Sequence, residues 1–270
     1  HYINNKFLII GIEDSSFTTY EIVQITLKPN DDKYIIYHLD GKIIYNDEIE
    51  ECYKTNIVGM CNLALWANRY KPPFIIFTSS MSVYGKVANN VSETTKCSPI
   101  SVYGKSKYVG EKIIQSLESK KTKIKILRLF NVYGPDQNFE NLKQGMLSIY
   151  LAQIFKKGKL TVTGSLKRYR DFIFIDDVIT ALTECKNFKN DNIFNIGNGI
   201  KIKVIDLILL LFKKLNLSSK NKILIKKSSI GDTWGSYANI NRAKKYGWKP
   251  KTDINLGVEK TLKGIKKFYK

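Results

Sequence analysis

Ser101-Val102-Tyr103-Gly104-Lys105-Ser106-Lys107-Tyr108 is the stretch from which the fold is read. Apolar residues continue beyond it at helical spacing through Val109, Ile113, Ile114 and Leu117, which predicts a helix starting near Ser101. Positions four apart share one helical face, one turn above the other, so Tyr103 and Lys107 become neighbours. An ammonium beside a phenol favours the phenolate and lowers a tyrosine pKa from its usual value of about 10. Reaching neutrality takes roughly 3 units, about 4 kcal/mol, which one exposed lysine does not supply. A second positive charge is needed. Taken alone, Tyr-x-x-x-Lys is ordinarily a packed ring beside a solvated lysine.

The upstream residues add weight. Phe74-Ile75-Ile76-Phe77, bounded by Pro72-Pro73 and a polar cluster, reads as a buried parallel strand. It runs into Thr78-Ser79-Ser80-Met81-Ser82-Val83-Tyr84-Gly85, which places hydroxyls where open α/β sheets bind ligands, at a strand's carboxyl end. Further on come Arg128-Leu129-Phe130-Asn131-Val132-Tyr133-Gly134-Pro135, Arg170-Asp171-Phe172-Ile173-Phe174-Ile175-Asp176-Asp177-Val178, and Phe194-Asn195-Ile196-Gly197-Asn198-Gly199. In order and approximate spacing, over almost the whole chain, these pieces resemble the extended short-chain dehydrogenase/reductase family, the nucleotide-sugar epimerases and dehydratases.

The resemblance implies a fold, a cofactor and roles for named residues. The fold would be α/β, a Rossmann-like doubly wound parallel sheet with a small carboxyl-terminal substrate lobe. Residues 1–135 with about 171–197 would form the NAD-binding domain, and 136–170 with 198–270 the lobe. Tyr103 would be the base taking a proton from a sugar hydroxyl, which requires its pKa near the working pH. Lys107 would hold the nicotinamide ribose, the oxidised ring being the second positive charge, and Ser80 would hydrogen-bond the same sugar oxygen. His38, Leu39, Asn56, Thr78 and Phe130 would join Tyr103 and Lys107 on the cofactor side. Asn131 and Arg170 would hold the substrate diphosphate, a planar guanidinium being matched to phosphate. No metal is expected.

The subtype follows from one departure. The 4,6-dehydratases of the family carry Thr-Asp-Glu where this chain has Ser80-Met81-Ser82. Loss of water needs an acid and a base at those positions, and methionine and serine supply neither. An NDP-hexose 4-epimerase working through a transient 4-keto sugar is therefore expected. A 4-keto reductase, a UDP-glucuronate decarboxylase or an inactive nucleotide-sugar-binding scaffold are the alternatives.

Other features depart from the family pattern. The chain begins at His1, and Phe7-Leu8-Ile9-Ile10 and Tyr34-Ile35-Ile36-Tyr37-His38-Leu39 read as strands matching the family's third and fourth. No Gly-x-x-Gly-x-x-Gly occurs, although that turn sets backbone N–H groups against a pyrophosphate. The natural protein is accordingly expected to extend upstream of His1, and the 34–39 strand to lack its ladder partner. Asp40-Gly41 replace the two alanines usual after His-Leu, and Ser229 stands where an arginine precedes Gly231-Asp232. A helix is expected over 47–69, with Ile49, Cys52, Tyr53, Ile57, Met60, Leu63 and Leu65 buried and Asn56 facing the cofactor. Arg128 reads as structural, bridging loops.

Composition bounds the rest. The formal charge of +20 ordinarily raises nucleic acid as a partner, but the lysines are dispersed along the 270 residues rather than clustered. Nucleic acid is not expected as a partner; a basic surface also attracts a diphosphate. Cys52, Cys61, Cys97 and Cys185 have no Cys-x-x-Cys spacing and the histidines are only His1 and His38, which disfavours zinc and suits a reducing cytoplasm. No apolar run is long enough for a membrane span. Family analogy suggests a homodimer through the helices near 47–69 and 101–119, and a polysaccharide pathway as the commonest destination.

Overall fold

The computed structural model describes residues 2–3, 7–10, 35–38, 49–87, 89–135, 137, 139, 145–218, 220, 222–227 and 234–268. In chain order, β1 (Tyr2–Ile3), β2 (Phe7–Ile10) and β3 (Ile35–His38) precede α1 (Ile49–Tyr53), a π-helical turn (Lys54–Val58) and α2 (Gly59–Tyr70). Then come β4 (Phe74–Ser80), a 3₁₀ turn (Met81–Tyr84), β5 (Asn89–Val91), α3 (Val102–Gln115), β6 (Lys123–Leu129) and β7 (Val132–Tyr133). After these follow α4 (Met146–Lys157), β8 (Leu160–Thr163), β9 (Tyr169–Arg170), β10 (Ile173–Phe174), α5 (Ile175–Glu184) and β11 (Ile193–Ile196). The remaining elements are β12 (Ile202–Lys203), α6 (Val204–Lys214), β13 (Ile223–Lys226), β14 (Ser236–Ala238), α7 (Asn241–Lys245) and α8 (Ile254–Phe268).

The chain divides into two compact units. Unit 1 comprises His1–Gly85, Lys96–Arg128 and Glu184–Phe194; unit 2 comprises Lys86–Thr95, Leu129–Thr183 and Asn195–Lys270. The principal sheet has the order β1-β2-β3-β4-β6-β11, with β2, β3 and β4 mutually parallel and β1 antiparallel to β2. This is the parallel α/β architecture expected. One expectation is overturned: β3 does not lack a partner, because Phe7–Ile10 pairs in parallel register with Ile35–His38 along its whole length. A strand's N–H and C=O groups must be paired when buried, and the apolar extended segment nearest in sequence takes that edge.

In unit 1, β4 is buried at every position after Phe74, and its Ile75 and Phe77 join Met60, Leu63, Trp66, Ile114, Ile124 and Ile126 in one apolar cluster. Helix α3 begins at Ser101, whose Oγ accepts from the Gly104 N–H at 3.0 Å and so satisfies one of the helix's unpaired donors. Its glycines fix how closely it packs. A Cβ on Gly104 would lie 2.6 Å from the Ser82 carbonyl oxygen, and one on Gly110 would lie 3.0 Å from the Phe77 ring. The helix therefore sits directly on the carboxyl end of β4 and the turn after it.

The expected 47–69 helix is interrupted by the π turn and runs to Tyr70. Cys52, Met60 and Leu63 are buried, but Ile49 and Tyr53 are exposed and Leu65 is 68% exposed. Hydrophobicity was not enough to place them: the buried line runs through Cys52, Asn56, Met60, Leu63 and Ala67 at spacings of three and four, and Tyr53 and Leu65 fall off it.

Unit 2 contains four two-stranded ladders, β7–β10, β8–β13 and β5–β14 parallel and β9–β12 antiparallel. Its core gathers Leu151, Phe172, Phe174, Leu207, Leu211 and Val258 around Tyr133, which meets the Phe172 and Phe174 rings edge-on. Among the described residues, no helix is long and apolar enough to cross a membrane.

Candidate active site

The carboxyl end of β4 and the first turns of α3 bring Thr78, Tyr103 and Lys107 together. Lys107 is 3% exposed, and its Nζ donates to the Thr78 carbonyl at 3.0 Å. The same ammonium lies 4.9 Å from the centre of the Phe77 ring and 6.0 Å from that of Tyr103. The neighbours expected from i, i+4 spacing are thus neighbours in space, and the lysine is buried rather than solvated. Tyr103 is half-buried. Ser80 caps the 3₁₀ turn, its Oγ accepting from the Ser82 N–H at 3.2 Å and donating to Ser82 Oγ at 3.1 Å.

Asn56 lies in the π turn, an extra-residue insertion common at functional positions. It is buried, and its Nδ2 donates to Ser106 Oγ at 2.9 Å and to Cys52 Sγ at 3.3 Å. Ser106 Oγ in turn donates to the Tyr103 carbonyl at 2.8 Å. A chain of hydrogen bonds therefore runs from the π turn to the backbone of Tyr103. His38 ends β3 in register with Phe77. Leu39, Asp40, Gly41, Ser229, Gly231 and Asp232 lie outside the described residues.

A second layer escaped sequence reasoning. Glu111 stands one turn beyond Lys107 and two beyond Tyr103, on the same face of α3. It is buried, accepts from Ser79 Oγ at 2.5 Å, and receives the Arg128 fork through Nε at 2.9 Å and Nη2 at 2.7 Å. Arg128 Nη1 also donates to the Tyr84 hydroxyl at 3.0 Å. Burial opposes the guanidinium's charge, but the hydrogen bonds and charge of Glu111 outweigh it and hold the pKa above the ordinary arginine value. Arg128 is expected to bridge loops; it instead joins Glu111 of α3 to Tyr84 of the 3₁₀ turn, and through Glu111 it reaches Ser79, between Thr78 and Ser80. The only trace in the sequence was the i+4 spacing of Glu111 from Lys107, which reads as a surface ion pair.

Unit 2 carries the other predicted residues. Phe130 is fully buried, with its N–H donating to the Ile196 carbonyl at 3.0 Å. Asn131 Nδ2 donates to the Asp171 carbonyl at 2.7 Å. Arg170, in β9, is largely buried, and its Nη1 donates to the Tyr169 carbonyl at 2.8 Å and the Trp234 carbonyl at 3.5 Å. Beneath it Asp171 is fully buried and gathers three backbone N–H groups: Asn198 at 2.8 Å, and Gly199 and Ala238 each at 2.9 Å. Burial pushes its pKa up to about 6 against the pull of those three bonds. An open pocket of about 390 Å³ in this unit is lined by Asn90, Asn198, Tyr237, Asn239, Lys244 and Lys249 among others, and by none of the residues predicted from sequence.

Comparison with known proteins shows the family. The chain is 30% identical over 242 residues to a putative UDP-glucose 4-epimerase of Methanocaldococcus jannaschii, covering 87% of this chain and 78% of that one. The crystal structure of Thermotoga maritima UDP-glucose 4-epimerase with UDP-glucose superposes with a TM-score of 0.84 at 26% identity, over 93% of this chain and 82% of that one. Bacillus cereus UDP-glucuronic acid 4-epimerase, solved with UDP-glucuronic acid and NAD, gives a TM-score of 0.82 at 25% identity, over 94% and 80% of the respective chains. A family model, "NAD dependent epimerase/dehydratase family", matches residues 14–197, a span that holds the tyrosine–lysine helix and the strand it rests on. The chain belongs to the NAD-dependent epimerase/dehydratase family.

Proposed function

We propose that the protein is an NAD-dependent nucleotide-sugar 4-epimerase that acts on a nucleoside-diphosphate hexose through a transient 4-keto sugar. The observation that carries this reading is the buried Lys107 ammonium, held by the Thr78 carbonyl beside the Tyr103 ring, at the carboxyl end of a parallel strand. The side chains fit the nicotinamide ribose: an ammonium able to donate to ribose hydroxyls and a tyrosine oxygen able to accept from one, on a helix that two glycines let approach the strand and its following turn. NAD, when bound, supplies reversible two-electron oxidation of the sugar carbinol.

The chain's own residues handle the proton and the geometry. Tyr103 takes the proton from the sugar's 4-hydroxyl, and Lys107 beside it favours the phenolate that does so. Ser80 donates to the same sugar oxygen; its Oγ already turns within the Ser80–Ser82 hydroxyl pair. The Asn56–Ser106 chain steadies the Tyr103 backbone, and the Ser79–Glu111–Arg128 network steadies the strand whose Thr78 carbonyl orients Lys107. His38, Leu39 and Phe130 complete the proposed cofactor side. Arg170 and Asn131 take the diphosphate, the arginine because its fork matches two phosphate oxygens. With Met81 and Ser82 beside Ser80, no acid–base pair is available for dehydration.

The test is Tyr103→Phe assayed on UDP-glucose and UDP-galactose. Removing the phenolic oxygen lowers turnover by about 10²–10⁴-fold with substrate affinity kept; retention of most activity would eliminate Tyr103 as the base. Given UDP-glucuronate instead, net formation of a UDP-pentose with release of CO2 would identify a decarboxylase, and net reduction of a 4-keto sugar nucleotide supplied with NADH would identify a reductase.

Two coarser features complete the reading. A homodimer through the unit 1 helices is supported by exposed apolar side chains, Val58 and Leu65 across the π turn and α2 and Val109 on α3. Leu65→Glu is expected to shift the mass measured by light scattering from dimer to monomer. Four cysteines without Cys-x-x-Cys spacing suit a reducing cytoplasm, and polysaccharide synthesis is a fitting destination for the product.

A further inference from the structure

Three tryptophans occur in the chain, and the structure treats them differently. Trp66 and Trp248 are 3% and 1% exposed, whereas Trp234 is 56% exposed. An indole left in water at that level forgoes most of the free energy its burial would supply. Its backbone, however, is held firmly. The Trp234 carbonyl accepts from the Tyr169 N–H at 3.3 Å and from Arg170 Nη1 at 3.5 Å. The next residue, Gly235, has φ of +148°, and a Cβ there would fall 2.3 Å from the Tyr169 carbonyl oxygen. Only glycine lets the chain lie this close. Immediately afterwards β14 is locked in place, by its ladder to β5 and by the Asp171 carboxylate bound to the Ala238 N–H. The surroundings are basic and aromatic: the Lys201 ammonium sits 4.1 Å from the centre of the Tyr169 ring, and the Tyr169 and Tyr237 rings meet edge-on.

An exposed indole on a residue whose backbone carbonyl accepts from a guanidinium has a matching ligand chemistry. A nucleoside diphosphate carries an anion for the guanidinium and, one ribose further on, a flat aromatic base. We infer that Trp234 is a specificity-determining residue that stacks on the nucleobase of the substrate; this rests on the nucleotide-sugar reading above, with Arg170 as the diphosphate ligand. Base–aromatic stacking is sequence-tolerant, so Trp234 sets how tightly a nucleotide is held over a bare diphosphate rather than which base is chosen.

The full chain is titrated with UDP and, separately, with inorganic pyrophosphate, following both heat and tryptophan emission. Because Trp234 is the exposed one of three indoles, stacking quenches its emission saturably with UDP, and pyrophosphate leaves it unchanged. Trp234→Ala weakens UDP about tenfold, as expected for one lost base stack, while pyrophosphate affinity stays the same and Trp234→Phe restores most of the loss. Removing an exposed side chain leaves the two buried indoles as internal reporters that the variant is folded. UDP binding that is equal in wild type and Trp234→Ala, with no quenching, overturns the inference and leaves the nucleotide-sugar reading standing. Absence of UDP binding to the wild type at millimolar concentration overturns that reading itself, and the inference with it.

Discussion

Glu111 in unit 1 and Asp171 in unit 2 are both carboxylates buried behind predicted site residues, yet their charges are met in opposite ways. Glu111 faces a guanidinium, receiving two of its N–H groups and the Ser79 hydroxyl. Asp171 faces no described cation; three backbone N–H groups donate to its carboxylate oxygens. A permanent charge offsets desolvation over any ordinary pH, whereas backbone dipoles do so only partly, and burial raises the Asp171 pKa to about 6. Unit 1 therefore fixes its strand and helix with a guanidinium–carboxylate pair. Unit 2 fixes its loops with a carboxylate that titrates within the accessible range.

Breaking the ion pair is expected to have the largest effect. Glu111→Ala leaves the Arg128 guanidinium buried without its anion and lowers the free energy of unfolding by about 3–5 kcal/mol, measured by urea denaturation. A loss below about 1 kcal/mol would show that water replaces the carboxylate, and the contrast with Asp171 would disappear.

The second effect has a sign set by the raised pKa. Asp171 titrates near 3.8 when unfolded and near 6 when folded, so between those values the folded state holds the additional proton. Its contribution to stability is full below about 4 and declines as pH climbs through 6, by about 3 kcal/mol in all. Asp171→Asn removes that dependence from the stability–pH curve. The same variant loses an acceptor, since an amide cannot accept from the Gly199 and Ala238 N–H groups together with that of Asn198, and its baseline falls by about 2 kcal/mol. A wild-type curve without slope between pH 4 and 6 would mean that the three N–H groups hold the carboxylate ionised.

The smallest effect sharpens the comparison from the unit 1 side. Ser79→Ala removes one hydroxyl donor from Glu111 while leaving the guanidinium fork, and costs about 1 kcal/mol. Its activity should fall through turnover more than through substrate affinity, because Ser79 lies between the Lys107 anchor at Thr78 and the hydroxyl of Ser80. Equal loss from Ser79→Ala and Glu111→Ala would mean that the hydroxyl, not the ion pair, holds the strand.

Much of the site's local frame was legible in the chain. Tyr103 and Lys107 were placed together by helical spacing, Phe74–Phe77 by its apolar run, and the start near Ser101 by the apolar pattern that follows it. Each depends on contacts within one element, so sequence carries it. Ser79 and Arg128 were present in recognised motifs and Glu111 lay beyond one, but their partnership was not visible, because Glu111 and Arg128 are 17 residues apart and join a helix to a strand. Asp171 read as part of a strand motif, although its partners come from segments 27 and 67 residues downstream. Leu65 was assigned to the core for its hydrophobicity, and helical phase placed it outside.

The motifs of the sequence carried the family resemblance and with it the α/β class, and short-range periodicity set the tyrosine and lysine side by side on one helix. Only the tertiary structure decided which charges are buried and what meets them, how Phe7–Ile10 supplies a ladder partner to Ile35–His38, and which of three tryptophans stays in water. Those outcomes depend on desolvation and on pairing between distant segments. Both are properties of the folded surroundings and are carried by no stretch of sequence taken alone.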